Sequence, residues 1–183
     1  MYKTNFDFIV EKAKQTPNPV KVVIAGADCE NILKGAFEAQ QAGFVELILT
    51  GNQEKIETML KNLGLISQKY TLIPCPEKKN VVQFAIDLIH EGKAEVLMRG
   101  NTQTRDFLMP ILDKKHGLAT GLVSEVALLK VPYYDKVLAL SDVSVLINPS
   151  EGQRKKVVKN IEEIKAQIPS LMAKCLAFFP NID

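Results

Sequence analysis

The sequence predicts an α/β fold with three layers, in which helices cover both faces of a mainly parallel sheet. Short apolar, β-branched runs alternate four times with stretches of helical apolar spacing, and the links between them are short. The first run, Val20 to Ala25, is interrupted only by Lys21, as expected of a strand that is buried on both faces. The 183 residues suffice for a domain with a hydrophobic core.

The remaining elements follow from apolar spacing and turn residues. An opening helix containing Phe6 and Ala13 is expected to end at Pro17-Asn18-Pro19. Three further strands are expected at residues 45–49, 70–73 and 96–98, and a helix should follow each of the four strands. The first three of these helices are expected to end at Gly43, Gly64 and Gly92.

The alternation changes after the fourth helix. The small residues of Gly117 to Gly121 predict a flexible loop, and the β-like runs at 126–131 and 137–140 predict an antiparallel pair. A further apolar run at 143–147 precedes a final helix that starts near Ser150.

The chain is expected to divide into a domain of residues 1–168 and an apolar tail of residues 169–183. Lys174 is the only charged residue between Ser170 and Pro180, so this stretch must pack against something. One interpretation is that it folds back onto this chain's own sheet. Alternatively it marks the start of a truncated or absent second half, and the chain is then expected to be a homo-oligomer, most simply a two-fold dimer.

Composition excludes several classes of function. A net charge of +2 gives no argument for a nucleic-acid partner, and no apolar run approaches membrane-spanning length. Cys29, Cys75 and Cys175 are widely spaced and form neither a disulfide pattern nor a metal-ligand pattern, which predicts a reducing compartment and no metal site. The N-terminus lacks an apolar leader, so we expect a cytoplasmic protein.

The loop after the fourth strand carries the strongest functional signal. In open parallel sheets, ligands bind outside the carboxyl ends of the strands, and four turns are expected at that edge. The turn between Arg99 and Arg105 combines a glycine, two threonine hydroxyls and an asparagine amide with two guanidinium groups at a helix start. Such donors favour an anion, most simply a phosphate.

A purely structural interpretation of the same loop stays open. It could be an ordinary strand-to-helix turn with Thr104 as the N-cap and the arginines in solvent. The turn at Gly26 to Asp28 lacks the full glycine pattern of a dinucleotide site, and Asp28 there is better explained as a helix cap than as a ribose ligand. A dehydrogenase-like domain is therefore the weakest of the functional hypotheses.

The fourth loop and the segment after it resemble the phosphate acetyl/butyryltransferase family, and within it the butyryl branch most closely. The resemblance covers about residues 5 to 168, the N-terminal half of such enzymes, and its specific part runs from Leu97 to Pro149. The matching residues form consecutive short motifs: Leu97-Met98-Arg99-Gly100, Thr104, Leu108, Leu112, Lys115-His116-Gly117-Leu118, Thr120-Gly121, Ser124, Val126-Ala127-Leu128-Leu129, Ser141-Asp142-Val143 and Asn148-Pro149.

The resemblance implies the first domain of the phosphate acyltransferase fold, which is like that of isocitrate and isopropylmalate dehydrogenases. It implies exchange of the coenzyme A of an acyl-CoA for phosphate, without a metal, a covalent intermediate or a cofactor other than coenzyme A as substrate and product. No catalytic residue can be assigned, and neither Cys29 nor Cys75 is expected to be a nucleophile. The substrate-binding residues that it implies are Arg99, Gly100, Asn101, Thr102, Thr104, Arg105, Thr120, Ser124 and Asp142.

Two substitutions and the chain length depart from the family pattern. Ala119 stands where the family loop Gly-Leu-Arg-Thr-Gly has arginine, and Glu125 stands where Ser-His-Val-Ala has histidine. Both changes make the site less attractive to phosphate. The family's active cleft is expected between two α/β halves, of which this chain resembles one. A non-catalytic relative that binds phosphate or coenzyme A is therefore the alternative to an enzyme.

Overall fold

The computed structural model describes residues 7–15, 17–76, 79–119, 123, 126–129, 131–133, 138–141 and 150–159. Strands and helices alternate there as the sequence predicts. In chain order they are α1 (Asp7–Lys14), β1 (Val20–Ala25), α2 (Glu30–Gln41), β2 (Val45–Gly51), α3 (Gln53–Asn62), β3 (Thr71–Pro74), α4 (Val81–His90), β4 (Val96–Arg99), α5 (Thr104–Ile111), β5 (Val126–Leu129) and β6 (Leu138–Ser141).

The first four strands form one parallel sheet in the spatial order β3-β2-β1-β4. Ala25, the last residue of β1, pairs with Thr50 on one side and with Arg99 on the other. Gly51 in turn pairs with Pro74. The carboxyl ends of all four strands therefore lie at one edge, which confirms that the four predicted turns are neighbours.

The two faces of the sheet are covered by different helices. On β1, Val22 and Ile24 pack with α2 and α3, whereas Val23 and Ala25 pack with α4 and α5. Each of these four side chains is fully buried. This alternation follows from the two-residue period of a strand, and it confirms the predicted layers of helix, sheet and helix.

Most predicted boundaries are confirmed to within one residue, and two of the differences have identifiable reasons. The predicted glycines Gly43, Gly64 and Gly92 follow α2, α3 and α4 with positive φ angles, as expected past a helix end. Strand β2 is longer than predicted, because Thr50 belongs to the sheet and not to the turn. The buried Thr50 hydroxyl donates to the carbonyl of Ile24 (2.9 Å).

The second difference concerns the start of α5. Its N-cap is Gln103, whose side chain makes no capping hydrogen bond, and Thr104 is the first helical residue. The interpretation of Thr104 as an N-cap is therefore wrong.

The C-terminal part is confirmed where the structure describes it. Strands β5 and β6 pair antiparallel. Residues 151–159 are helical, and Ser150 and Gln153 cap that helix by reciprocal hydrogen bonds between side chain and backbone. The predicted strand at 143–147 and the apolar tail lie outside the described residues. Among the helices that the structure describes, none has the length and hydropathy needed to cross a membrane.

Candidate functional site

The candidate site lies where the loops after β1 and β4 meet. Within the sheet, β2 is the neighbour of β1 on one side and β4 is its neighbour on the other, so the strand order reverses direction at β1. This reversal is the position at which open α/β sheets place their ligands. The two loops are joined by backbone hydrogen bonds from Gly100 N to Ala25 O (3.0 Å) and from Asn101 N to Gly26 O (2.7 Å).

Two glycines make this close approach possible. Gly26 has a φ of 79°, in the region that glycine tolerates best. A Cβ atom on Gly100 would lie 2.6 Å from the carbonyl carbon of Gly26 and 2.7 Å from the carbonyl oxygen of Ala25. Gly100 is therefore needed for packing between backbones, which is a different role from the ligand contact that the resemblance implies.

Arg99 lies at the end of β4 and contacts the loop that follows it. Its Nε donates to the carbonyl of Thr102 (3.1 Å), and its Nη1 donates to Oγ1 of Thr104 (2.9 Å). The side chain is thus held against the loop although the residue remains exposed. Arg99 is therefore exposed to solvent, as the structural interpretation expects, and is in addition bonded to the loop.

The Thr102 hydroxyl is buried and has no hydrogen-bond partner among the described residues. Leaving a buried hydroxyl unpaired costs about 1–3 kcal/mol, so such an atom calls for an explanation. Thr102 lies against the β1 loop, since its methyl carbon would be 3.4 Å from a Cβ atom on Gly26. The described residues therefore leave the hydrogen-bonding capacity of this hydroxyl unused.

The first turn of α5 offers backbone donors next to Thr102. The first hydrogen bond of the helix is donated by Phe107 N to Gln103 O (3.0 Å), so the N–H groups of residues 104–106 precede the helical ladder. Arg105 adds an exposed cation, and Asp106 adds an exposed carboxylate in the same turn. The carboxylate competes with a bound anion for the positive end of the helix dipole.

The segment after α5 is described without a gap only as far as Ala119, where the family pattern has arginine. Leu118 N and Ala119 N both donate to the carbonyl of Ile111, the last residue of α5. An eight-residue helix is about 12 Å long, so Ala119 lies at the opposite end of α5 from Thr104. Thr120, Ser124 and Asp142 lie outside the described residues, as does Glu125.

The turn after α5 is built by Asp113, a residue that the sequence analysis missed. Its Oδ1 accepts hydrogen bonds from Lys115 N (2.9 Å) and His116 N (2.7 Å). These bonds, first that of His116 and then that of Lys115, lower the pKa of the Asp113 carboxyl below its usual range. An aspartate directly after a helix and before a glycine is a typical turn signal and could have indicated this role.

Asp113 should make stability depend on pH in the acid range. Because the pKa is lower in the folded protein than in the unfolded chain, the stabilisation is complete above the unfolded value of about 4. It is lost as the pH falls through the folded-state pKa. The carboxyl carbon of Asp113, followed by NMR, should titrate at a lower pH in the folded protein than in urea.

Asp113→Asn provides the matched control, since its amide oxygen can accept the same two hydrogen bonds without titrating. This variant should lack the part of the acid-induced loss of stability that Asp113 causes. Equal titration midpoints for Asp113 in the folded and unfolded states would contradict this account of the turn.

An open groove of roughly 470 Å³ runs along α4 and α5, away from the 99–105 loop. It mixes polar and apolar side chains, and Gln83 Nε2 donates across it to the carbonyl of His116 (3.2 Å). The groove is lined by Asn80, Gln83, Asp87, Met109, Pro110, Asp113 and His116.

Cys75 does not have the environment of a nucleophile. The Cys75 Sγ lies 3.6 Å from the carbonyls of both Pro76 and Lys79. Burial raises the pKa of the Cys75 thiol, and the nearby Lys79 opposes this only in part. Cys29 is the N-cap of α2 without a side-chain hydrogen bond. Within the described ranges, no group of three or more histidine, cysteine or acidic residues could hold a metal ion.

The fold and this site define a parallel α/β domain with hydrogen-bond donors gathered at its switch point. The family described as phosphate acetyl/butaryl transferase matches residues 75–172, more than half of the chain and a range that includes the whole candidate loop. The chain belongs to this family.

Individual relatives agree with the family match. The chain is 31% identical over 157 residues to a phosphate butyryltransferase of Clostridium beijerinckii. The aligned region covers 85% of this chain and 52% of that protein. It is 25% identical over 141 residues to a phosphate acetyltransferase of Thermotoga maritima, covering 76% and 48% of the two chains. The chain therefore spans about half the length of the curated relatives that it matches.

Solved structures confirm the fold. A branched-chain phosphotransacylase from Enterococcus faecalis superimposes with a TM-score of 0.65 and 25% identity, over 81% of this chain and 51% of that one. A phosphotransacetylase from Streptococcus pyogenes gives a TM-score of 0.72 at 18% identity, over 89% of this chain and 58% of that one. Both neighbours support the α/β class with a mainly parallel sheet; at its lower identity the second shows the fold alone.

Proposed function

We propose that this chain carries the phosphate-binding half of a phosphate acyltransferase that converts acyl-CoA and phosphate to acyl phosphate and CoA. The observation that carries the proposal is the unpaired, buried Thr102 hydroxyl two residues before α5, together with the N–H groups of residues 104–106 that precede the helical ladder. This cluster lies within the segment that matches the family. A butyryl-like acyl group is the proposed substrate, because the Clostridium beijerinckii relative that matches 85% of this chain is a phosphate butyryltransferase.

In this reaction a phosphate oxygen forms a bond to the thioester carbon, and the bond from that carbon to sulfur breaks. The coenzyme A thiolate leaves with the electron pair and is then protonated. The part of this chain is to hold the phosphate, with N–H groups of residues 104–106, the Thr102 hydroxyl and the cation of Arg105 as donors. Fixing the phosphate in place contributes through orientation and through stabilisation of developing charge.

A non-catalytic phosphate- or CoA-binding protein is the second candidate. Ala119 and Glu125 replace an arginine and a histidine of the family pattern, and Asp106 places a carboxylate in the proposed site. Both candidates require the same anion site, so binding must be tested before turnover. Free thiols at Cys29 and Cys75 support a reducing, cytoplasmic compartment, and the apolar sequence at residues 170–180 supports a homo-oligomer.

The test is calorimetric titration of the 183-residue chain with inorganic phosphate and, separately, with coenzyme A. We expect both to bind, and we expect Thr102→Val to weaken the binding of phosphate about fivefold to tenfold, the effect of one lost hydrogen bond. The same variant should leave the ligand-free protein as stable as before or more stable, because it removes a buried hydroxyl that has no partner.

Thr71→Val is the matched control, since Thr71 is an exposed threonine of β3, the strand of the sheet that lies farthest from β4. It should change neither affinity nor stability. Unchanged phosphate affinity in Thr102→Val would remove Thr102 from the site. A wild-type chain that binds neither phosphate nor coenzyme A would contradict the proposed function.

A further inference from the structure

We propose that Arg99 is a positioning residue, which holds the Thr104 hydroxyl as a donor for the bound anion and does not contact the anion itself. The inference rests on the proposed function, because it assumes an anion at the 100–104 loop. It assigns different roles to the two arginines that flank this loop.

The first step is the geometry of Arg99. Its planar guanidinium uses two N–H groups in a fork, one on the Thr102 carbonyl and one on Oγ1 of Thr104. Two bonds from a rigid fork fix the separation and orientation of their acceptors, which a single flexible ammonium group cannot do. Arg99 therefore connects the end of β4 to the first residue of α5 across the loop.

The second step is the chemistry of the two acceptors. A hydroxyl has one hydrogen to donate and two lone pairs to accept with. Since Arg99 already occupies a lone pair on Thr104 Oγ1, the hydroxyl hydrogen is available to another acceptor, and the adjacent positive charge polarises it. The Thr102 carbonyl would repel an anion, and its bond to Arg99 offsets that repulsion.

The third step is the contrast with Arg105. Both arginines are exposed and flank the same loop. The hydrogen bonds described for Arg99 all point into the loop, whereas none is described for the Arg105 side chain in the part of the chain that the structure covers. Arg105 is thus the cation suited to contact the anion directly, and it provides a matched control for Arg99.

The test is a double-mutant cycle on the affinity for inorganic phosphate, measured by calorimetry. Arg99→Gln and Thr104→Val should each weaken binding about tenfold, and the double variant should be little weaker than either single one. Arg105→Gln combined with Thr104→Val should show the product of the two single effects. If the losses of phosphate affinity in Arg99→Gln and Thr104→Val multiply in the double variant, Arg99 acts independently of the hydroxyl. That result would overturn the proposal.

Arg99→Lys separates charge from geometry. It keeps the positive charge but loses the fork, so its phosphate affinity should fall like that of Arg99→Gln. Full affinity in Arg99→Lys would show that charge alone matters and would also overturn the proposal.

Hydrogen exchange in the ligand-free protein tests the positioning without any ligand. The backbone amides of Thr102 and Phe107, which donate to the carbonyls of Gly100 and Gln103, should exchange faster in Arg99→Gln than in wild type, and Arg105→Gln should leave them unchanged. Equal exchange in Arg99→Gln and wild type would overturn the proposal whatever the affinities. A wild-type chain that binds no phosphate would instead contradict the proposed function, and exchange would still decide whether Arg99 positions the loop.

Discussion

Replacing Gly100 by alanine is expected to destabilise the protein by about 3 kcal/mol or more, or to prevent folding. The added Cβ would meet the backbone of Ala25 and Gly26, which cannot move aside as a flexible side chain can. Separating the loops would also break the hydrogen bonds from Gly100 N to Ala25 O and from Asn101 N to Gly26 O. Both the packing of β1 against β4 and the shape of the candidate site depend on this contact.

Urea denaturation of Gly100→Ala, compared with wild type, measures this effect. Gly152→Ala is the control, because a Cβ on Gly152 would find no atom within 4 Å in its helix. That variant should be unchanged or more stable by up to about 1 kcal/mol. If Gly100→Ala loses less than about 1 kcal/mol, the loops are not held together as described.

The second large effect concerns turnover and rests on the proposed function. A polypeptide of these 183 residues should release coenzyme A from butyryl-CoA and phosphate at least about a hundredfold more slowly than a full-length relative. The transition state needs donors on both sides of the reacting groups, and this chain spans about half of a relative such as the Clostridium beijerinckii protein. Loss of a single such donor typically costs about a hundredfold to a thousandfold in rate.

A coupled assay for free thiol, run beside a full-length relative at equal concentration, measures the rates. Omitting phosphate provides the blank for simple thioester hydrolysis. Phosphate-dependent turnover within tenfold of the full-length relative would contradict the prediction and imply that the site is assembled differently. Slow or absent turnover combined with firm binding of phosphate is expected of both candidates, so the binding measurement and not this assay tests the anion site.

Much of the fold could be predicted because its signals are local. The strand from Val20 to Ala25 has the continuous apolar pattern of a central parallel strand, and the glycines that end α2, α3 and α4 mark boundaries through their own φ angles. The position of the loop after Arg99 at the carboxyl edge followed from the parallel topology alone. Each of these inferences requires only a few neighbouring residues.

The internal structure of the site could not be predicted, because it depends on contacts between distant segments. The need for glycine at position 100 becomes visible only when the backbone of Gly26 is placed beside it. Whether Arg99 faces solvent or the loop is likewise decided by where Thr102 and Thr104 lie after the turn. The positions of Thr104 and Ala119 at opposite ends of α5 likewise follow from the hydrogen bonds of Leu118 N and Ala119 N to Ile111 O.

The central claim is that an anion binds to the loop between Arg99 and α5. The most direct test is a titration of the ¹⁵N-labelled chain with inorganic phosphate, followed by NMR at constant ionic strength, with chloride as the control anion. The account predicts saturable shifts that are largest at the backbone amides of residues 102–106 and small at those of residues 113–119. Shifts that are absent, that chloride reproduces, or that concentrate at the 113–119 turn would contradict it.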